Sequence, residues 1–292
     1  MTDPKPPKSV FHPAREEAQV ANQPTSSPQT EDKAYRLAFQ DMDFLLRQDL
    51  RPVRFQLELL KPELLLDEAN IESTFVFYGS DRIPEPSRAD ALIEMASTDH
   101  QRLVAERLKA KSRYYEEARK LARIVSRVGA DAEGKRQFVV CSGGGPSIME
   151  AANRGATDEG EESIGLNIVL PHEQLPNPYV TPHLSFQFHY FSLRKMHFLL
   201  RARAVAIFPG GFGTFDEGFE LLTLIQTGKI KPLPIVLFGR EFWERVVNFQ
   251  ALVDEGVIAP DDLDLFKFVE TAEEAWDYVC AWYADRQEIP PA

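Results

Sequence analysis

From Ser73 onward the hydrophobic positions gather into short continuous runs, separated by stretches in which apolar residues recur every three or four positions. The runs "TFVFYGS", "QFVVCSGGG", "SIGLNIVLP", "AVAIFPGG" and "LPIVLFG" predict strands, since unbroken apolar runs bounded by turn residues suit a sheet covered on both faces. Between them, Ser112 to Val128, the segment opening at "PSIMEAANRGA", Ser192 to Arg201, Thr214 to Gln226 and about 241 to 254 predict helices, and a last strand and helix follow Leu265. Such alternation predicts an α/β fold with a Rossmann-like, doubly wound parallel sheet.

The N-terminal part reads differently. Proline, serine, threonine and glutamine dominate residues 1–30, and no apolar stripe there offsets the entropy of ordering, so a disordered tail is expected. Residues 31–70 predict an N-terminal helical extension. It begins with a helix from Glu31 to about Asp49 carrying Tyr35, Leu37, Phe39, Phe44, Leu45 and Leu46, and a second short element ends near Leu66. The Rossmann-like domain is then expected over 71–292.

Composition narrows the function classes. With 43% hydrophobic residues in 292, the chain has material for a sizeable core. Its 33 basic against 45 acidic residues give a net charge of −12, which disfavours broad contact with nucleic acid or an anionic membrane. Cys141 and Cys280 are too few for a disulfide framework and lack metal-ligand spacing, so a reducing cytoplasm is the expected compartment. No apolar run reaches membrane-spanning length.

In an open parallel sheet, ligands bind at the carboxyl ends of the strands. Three loops expected there carry glycine: "YGSDR" (78–82), "SGGGPSIME" (142–150) and "PGGFGTFDE" (209–217). Gly143, Gly144, Ser147 and Glu150 have the same mutual spacing as Gly210, Gly211, Thr214 and Glu217. Glycine lets a backbone approach a ligand closely, and the hydroxyl can donate to an oxyanion. The same grammar is also that of a helix capping box, in which hydroxyl and glutamate serve the first backbone amides. Both readings stand at this level. Neither loop completes the common nucleotide fingerprints G-x-x-x-x-G-K-[S/T] or G-x-G-x-x-G, which points to a smaller phosphorylated ligand such as a nucleoside monophosphate.

Upstream of the third loop, "YFSLRKMHFLLRAR" places Leu193, Met196 and Leu200 on one helical stripe, expected to face inward. Arg194, His197 and Arg201 fall on another face. A cation beside anion-binding loops can hold a phosphate or balance the charge of a departing base, although charged helix residues are more often solvated.

"SGGGPSIMEAANRGA", "SLRKM" and "PGGFGTFDE", in this order within Thr74 to Tyr283, resemble the LONELY GUY family of phosphoribohydrolases, and the N-terminal extension and region 84–110 resemble its longer bacterial branch. Many relatives carry a "lysine decarboxylase" label, but no clear pyridoxal-phosphate lysine site is present here. The resemblance implies cleavage of the N-glycosidic bond of a nucleoside 5′-monophosphate, either a cytokinin riboside monophosphate or AMP, to free base and ribose 5-phosphate. It implies Arg194 and Glu217 as the catalytic pair, and Gly210, Gly211, Gly213 and Thr214 around the 5′-phosphate. Lys195 and Met196 fall on adjoining positions. Gly79, Ser80, Gly143, Gly144 and Gly145 would line the nucleotide, with Glu150 and the loop residue Glu173 as further contacts. No cofactor or metal is implied. A homo-oligomer is implied, a dimer or a hexamer built from dimers. Similar folds also occur in molybdenum-cofactor carriers, so a non-catalytic nucleotide-binding or carrier protein is the alternative. A sugar-phosphate phosphotransferase is weaker without a P-loop lysine.

The residue types suit that chemistry. Breaking a ribosyl C–N bond develops oxocarbenium character, which a carboxylate can stabilise while it activates water. An arginine does not readily release a proton, so its role is electrostatic.

Overall fold

The computed structural model describes residues 12–23, 25–171 and 175–286. The chain divides into two compact units, Met1–Glu58 and Leu59–Ala292.

In the first unit, helix α1 (Ala14–Ala21) lies within the stretch expected as a tail and α2 (Pro28–Glu31) at its end, and neither has a buried residue. The helix expected over 31–49 is instead a series of single turns: 3₁₀ turns at Lys33–Tyr35, Ala38–Gln40 and Gln48–Leu50, and α3 (Met42–Leu45). Asp32 and Asp41 account for two of the starts. The carboxylate of Asp32 accepts from Ala34 N (2.8 Å), and that of Asp41 from Phe44 N (3.2 Å), so each starts a new turn in place of a continuous ladder. Helix α4 (Arg51–Glu68) runs across the division between the units.

The second unit holds a seven-stranded, all-parallel sheet in the order β4-β3-β2-β1-β5-β6-β7. The strands are β1 (Thr74–Tyr78), β2 (Val139–Ser142), β3 (Ile164–Ile168), β4 (Ser185–Phe188), β5 (Ala202–Ile207), β6 (Ile235–Phe238) and β7 (Lys267–Val269). Between β1 and β2 lie α5 (Pro86–Glu94), α6 (Asp99–Lys111) and α7 (Arg113–Ser126), followed by α8 (Ile148–Asp158), α9 (Phe191–Leu200) and α10 (Phe212–Gln226). The span expected as one helix at 241–254 is two, α11 (Arg240–Val246) and α12 (Phe249–Asp254), because Val247 is extended and Asn248 caps a new start by accepting from Ala251 N (3.1 Å). Helix α13 (Ala272–Asp285) closes the described chain.

Alternation along β1 divides the core. Phe75 and Phe77 are fully buried in a cluster with Tyr115, Leu121, Ile148 and Val279, from α7, α8 and α13. Each such burial contributes roughly 1.5–3 kcal/mol. On the other face, Tyr78 meets Phe198 of α9 edge-on (5.0 Å between ring centres). Helices therefore cover both faces. In the aromatic stretch before α9, Phe186 and Phe188 are buried on β4, whereas Tyr190 lies beyond the strand as the N-cap of α9.

Candidate functional site

The chain enters the sheet at its centre with β1, winds outward through β2, β3 and β4, then returns to lay β5 on the other side of β1. That reversal opens a crevice at the carboxyl ends of β1 and β5, the usual ligand position in such sheets. The two loops are tied across it, because Ser80 N donates to Pro209 O at 3.1 Å.

The β5 loop leads into α10, whose N-cap is Gly211. The first intrahelical bond runs from Phe215 N to Gly211 O, so the amides of Phe212, Gly213 and Thr214 have no intrahelical acceptor. Amides at a helix start, with the dipole behind them, form an anion-binding end. Gly210 is required by packing, since a Cβ there would overlap the Thr214 side chain; Gly211 and Gly213 are not, having nothing within 4 Å of a Cβ position. Thr214 is 5% exposed, and its hydroxyl makes no hydrogen bond among the described residues.

One turn further along α10, Glu217 Oε1 accepts from Arg194 Nη1 of α9 at 3.0 Å, with the two side chains 14% and 10% exposed. Glu217 is therefore no capping glutamate. Arg194 Nε also donates to Leu166 O of β3 (2.6 Å), and its guanidinium lies 4.9 Å from the Phe198 ring centre. Gly143 makes room for it, because a Cβ at 143 would overlap Arg194 Nη2 and stand 2.8 Å from Met149 Sδ. Burial pushes the Glu217 carboxyl up to about 7; Arg194 opposes this and Asp216 adds to it. The site thus holds a carboxyl poised near neutral pH against a fixed cation.

The loop after β2 shares its spacing with the β5 loop but spends its groups internally. Ser147 has φ +67° and makes no side-chain cap; its hydroxyl donates to Ile83 O. Ile148 N donates to Ser80 O (3.3 Å), and Glu150 accepts from Tyr115 OH (3.0 Å) instead of capping α8. Gly144 adopts φ +72° against the side chain of Asn167, and its carbonyl accepts from Asn177 N (2.8 Å). Gly145 O accepts from Asn177 Nδ2 (3.0 Å). Both glycines are buried, and Gly79 packs 2.6 Å from Ile148 Cγ2 by its Cβ position. This loop shapes the crevice and supports the Arg194 pocket through Gly143.

Several residues behind it were not singled out from the sequence. Asn153 is fully buried and links four elements: its Oδ1 accepts from Ser142 Oγ (2.7 Å) and Asn177 Nδ2 (2.9 Å), and its Nδ2 donates to Ser163 Oγ (2.9 Å) and Ile164 O (3.3 Å). Ser142 Oγ in turn accepts from Gly144 N (3.1 Å). The available signal was an asparagine among alanines on an apolar helix face.

Helix α9 corrects one expectation. Leu193 is buried, but Met196 and Leu200 are 46% and 44% exposed, while Arg194, His197 and Phe198 face inward. The inward stripe is polar because Glu217 and Leu166 O satisfy Arg194 and the Phe188 ring lies 5.2 Å from His197. Lys195 Nζ pairs with Asp216 and Glu220, each at 3.1 Å. Arg201 stands apart from Arg194, bound to Glu63 (3.1 Å) and Asp67 (2.7 Å). Arg82 is exposed, and its amide donates to Ser80 Oγ (3.0 Å). Glu173 lies outside the described residues. Among the described residues no group of three or more His, Cys, Asp or Glu is placed to hold a metal ion, and no helix is long and apolar enough to cross a membrane.

Residues 149–279, under half the chain, match the family described as "Possible lysine decarboxylase". A pyrimidine/purine nucleotide 5′-monophosphate nucleosidase of Escherichia coli K12 is 28% identical over 135 residues, 43% of this chain. The counterpart in Escherichia coli O157:H7 gives the same figures. The matched segment spans only 29% of the length of these relatives. Among solved structures, TM1055 aligns over 74% of this chain and 99% of its own, with 18% identity and a TM-score of 0.44. The molybdenum cofactor carrier protein of Chlamydomonas reinhardtii aligns over 74% and 97%, with 16% identity and a TM-score of 0.39.

Proposed function

We propose that this protein is a phosphoribohydrolase that cleaves the N-glycosidic bond of a nucleoside 5′-monophosphate. The observation that carries the reading is Glu217 held 3.0 Å from Arg194, one turn inside a helix whose glycine-bearing start offers unused amides. The family match and the similarity to nucleotide 5′-monophosphate nucleosidases support a nucleotide-processing hydrolase, as does the LONELY GUY resemblance.

In this reading the 5′-phosphate sits on the amides of Phe212, Gly213 and Thr214, with the Thr214 hydroxyl as a further donor. Anchoring at that end sets the anomeric carbon against Glu217, and such fixed orientation removes several kcal/mol from a barrier, within the roughly 7–11 kcal/mol available to proximity. As the C–N bond breaks, its electron pair leaves with the base, whose nitrogen takes up a proton from solvent, and the ionised Glu217 stabilises the positive charge developing on the sugar. Water adds to the anomeric carbon and yields ribose 5-phosphate, its proton passing to Glu217 or to solvent. Arg194 keeps its proton throughout. Its part is to hold the carboxylate in place and in its charged form.

The substrate is AMP or an N6-prenylated adenosine monophosphate. Incubating the protein with a panel of nucleoside monophosphates, with and without N6-prenyl groups, and quantifying free base by chromatography tests the reading. Release of base together with ribose 5-phosphate is expected. A nucleotide that binds and is recovered intact would overturn hydrolysis and leave a carrier.

A further inference from the structure

Tyr78 ends β1 immediately before Gly79 and Ser80, at the crevice. It lies on the face of β1 opposite the Phe75 and Phe77 cluster. Its ring is edge-on to Phe198 at 5.0 Å, and the Arg194 guanidinium sits 4.9 Å from that same Phe198 ring. Arg194 in turn holds Glu217. Tyr78 as a whole is only 3% exposed, but its hydroxyl is not among the buried side-chain atoms without a partner and bonds no other described residue, so the hydroxyl itself keeps accessible surface. A phenol whose ring is packed while its hydroxyl stays accessible presents that hydroxyl to a bound molecule.

The surroundings say what partner would suit. Burial, with the charge of Glu217 next, raises the phenol well above its ordinary range, so it stays a neutral donor and acceptor. A phosphate is better served by the amides and dipole of the α10 start. A neutral hydroxyl is the matching group, and the hydroxyls of a ribose adjoin the carbon at which Glu217 would act.

We propose that Tyr78 is a sugar-recognition residue whose phenolic hydroxyl hydrogen-bonds a ribose hydroxyl of the bound nucleotide, so that the site selects ribonucleotides over their deoxy analogues. This rests on the nucleotide reading of the site. A pocket built to bond a substrate hydroxyl rejects analogues that lack it, because its own polar group is then left unpaired.

The test compares AMP with 2′-deoxy-AMP and 3′-deoxy-AMP, for the wild-type protein and for Tyr78→Phe. It uses calorimetric binding, kcat/KM for base release, and thermal unfolding of both proteins. The wild type is expected to favour AMP over at least one deoxy analogue by tenfold or more. Tyr78→Phe, which removes only the hydroxyl and keeps the packed ring, should unfold close to the wild-type temperature. It should lose most of that preference by weakening AMP and sparing the deoxy analogue. Equal preference in wild type and variant, or no preference in the wild type, overturns the role of Tyr78. A wild type that binds AMP selectively without releasing base would sink the hydrolase reading and leave the Tyr78 assignment supported, since the binding ratio reports it independently of turnover.

Discussion

The backbone of Gly143 lies against the guanidinium of Arg194 so closely that even a methyl group at 143 would overlap Nη2. Gly143→Ala must therefore push Arg194 off Glu217 or shift the loop after β2. Overpacking of this kind costs about 1–3 kcal/mol. Base release from AMP is expected to fall at least tenfold, with a lowered unfolding temperature; full activity in Gly143→Ala would show that Arg194 has room to spare.

Gly211 offers the converse case. Nothing lies within 4 Å of its Cβ position, and its φ of −100° is open to any residue, so Gly211→Ala should fold with unchanged stability. If a phosphate rests on the α10 start, the added methyl crowds it, and KM for AMP should rise severalfold with kcat little changed. Thr214→Ala should act in the same direction. Titration with inorganic phosphate and steady-state kinetics check both.

Glu217 should impose a pH dependence on activity. With its carboxyl pushed up to about 7, the ionised form grows as pH rises from 6 to 8, and kcat/KM should rise along that limb. Asp216 contributes to the upward shift and also pairs with Lys195. Asp216→Asn removes a negative charge and frees a cation, so the midpoint should move to lower pH. A midpoint that stays put or rises would contradict this electrostatic account.

The same carboxyl links pH to stability. A folded value near 7 against the ordinary 4.5 means that the folded state binds the proton more tightly. Its stabilising contribution is full below about pH 4.5 and is lost as pH rises through 7, with a ceiling on the order of 3 kcal/mol for such a shift. Glu217→Gln mimics the protonated form. It should lose most turnover, retain nucleotide binding, and unfold at a higher temperature relative to wild type at pH 8 than at pH 5. Chemical denaturation at the two pH values decides it.

Arg194→Ala would leave the Glu217 carboxyl buried without its cation. Breaking such a pair by removing one partner costs about 3–5 kcal/mol. Arg194→Lys should recover part of the stability but not the bond to Leu166 O alongside that to Glu217, since one ammonium cannot reproduce the guanidinium fork. Activity of both variants is expected to fall by a hundredfold or more.

Much of this was legible along the chain. Continuous apolar runs such as "FVFY" and "PIVLF" gave the strands of a parallel sheet, and the glycines of 209–217 marked the loop into α10. What escaped notice depended on partners distant in sequence. Glu150 and Glu217 both fit a local capping pattern, but Tyr115 and Arg194 hold them elsewhere. Asn153 draws its partners from β2, from the residues entering β3 and from the loop at Asn177, so no local window could display its role. At the N-terminal side, Asp32 and Asp41 cut an apolar-looking stretch into turns through short-range bonds that outweigh its periodicity.

Helix α9 inverts the ordinary relation between hydropathy and tolerance. In a saturation scan, the aliphatic positions Met196 and Leu200 should accept lysine or glutamine almost freely, whereas Arg194 and His197 should refuse leucine. A library ranked by apolar content would keep the replaceable residues and discard the ones packed against the sheet.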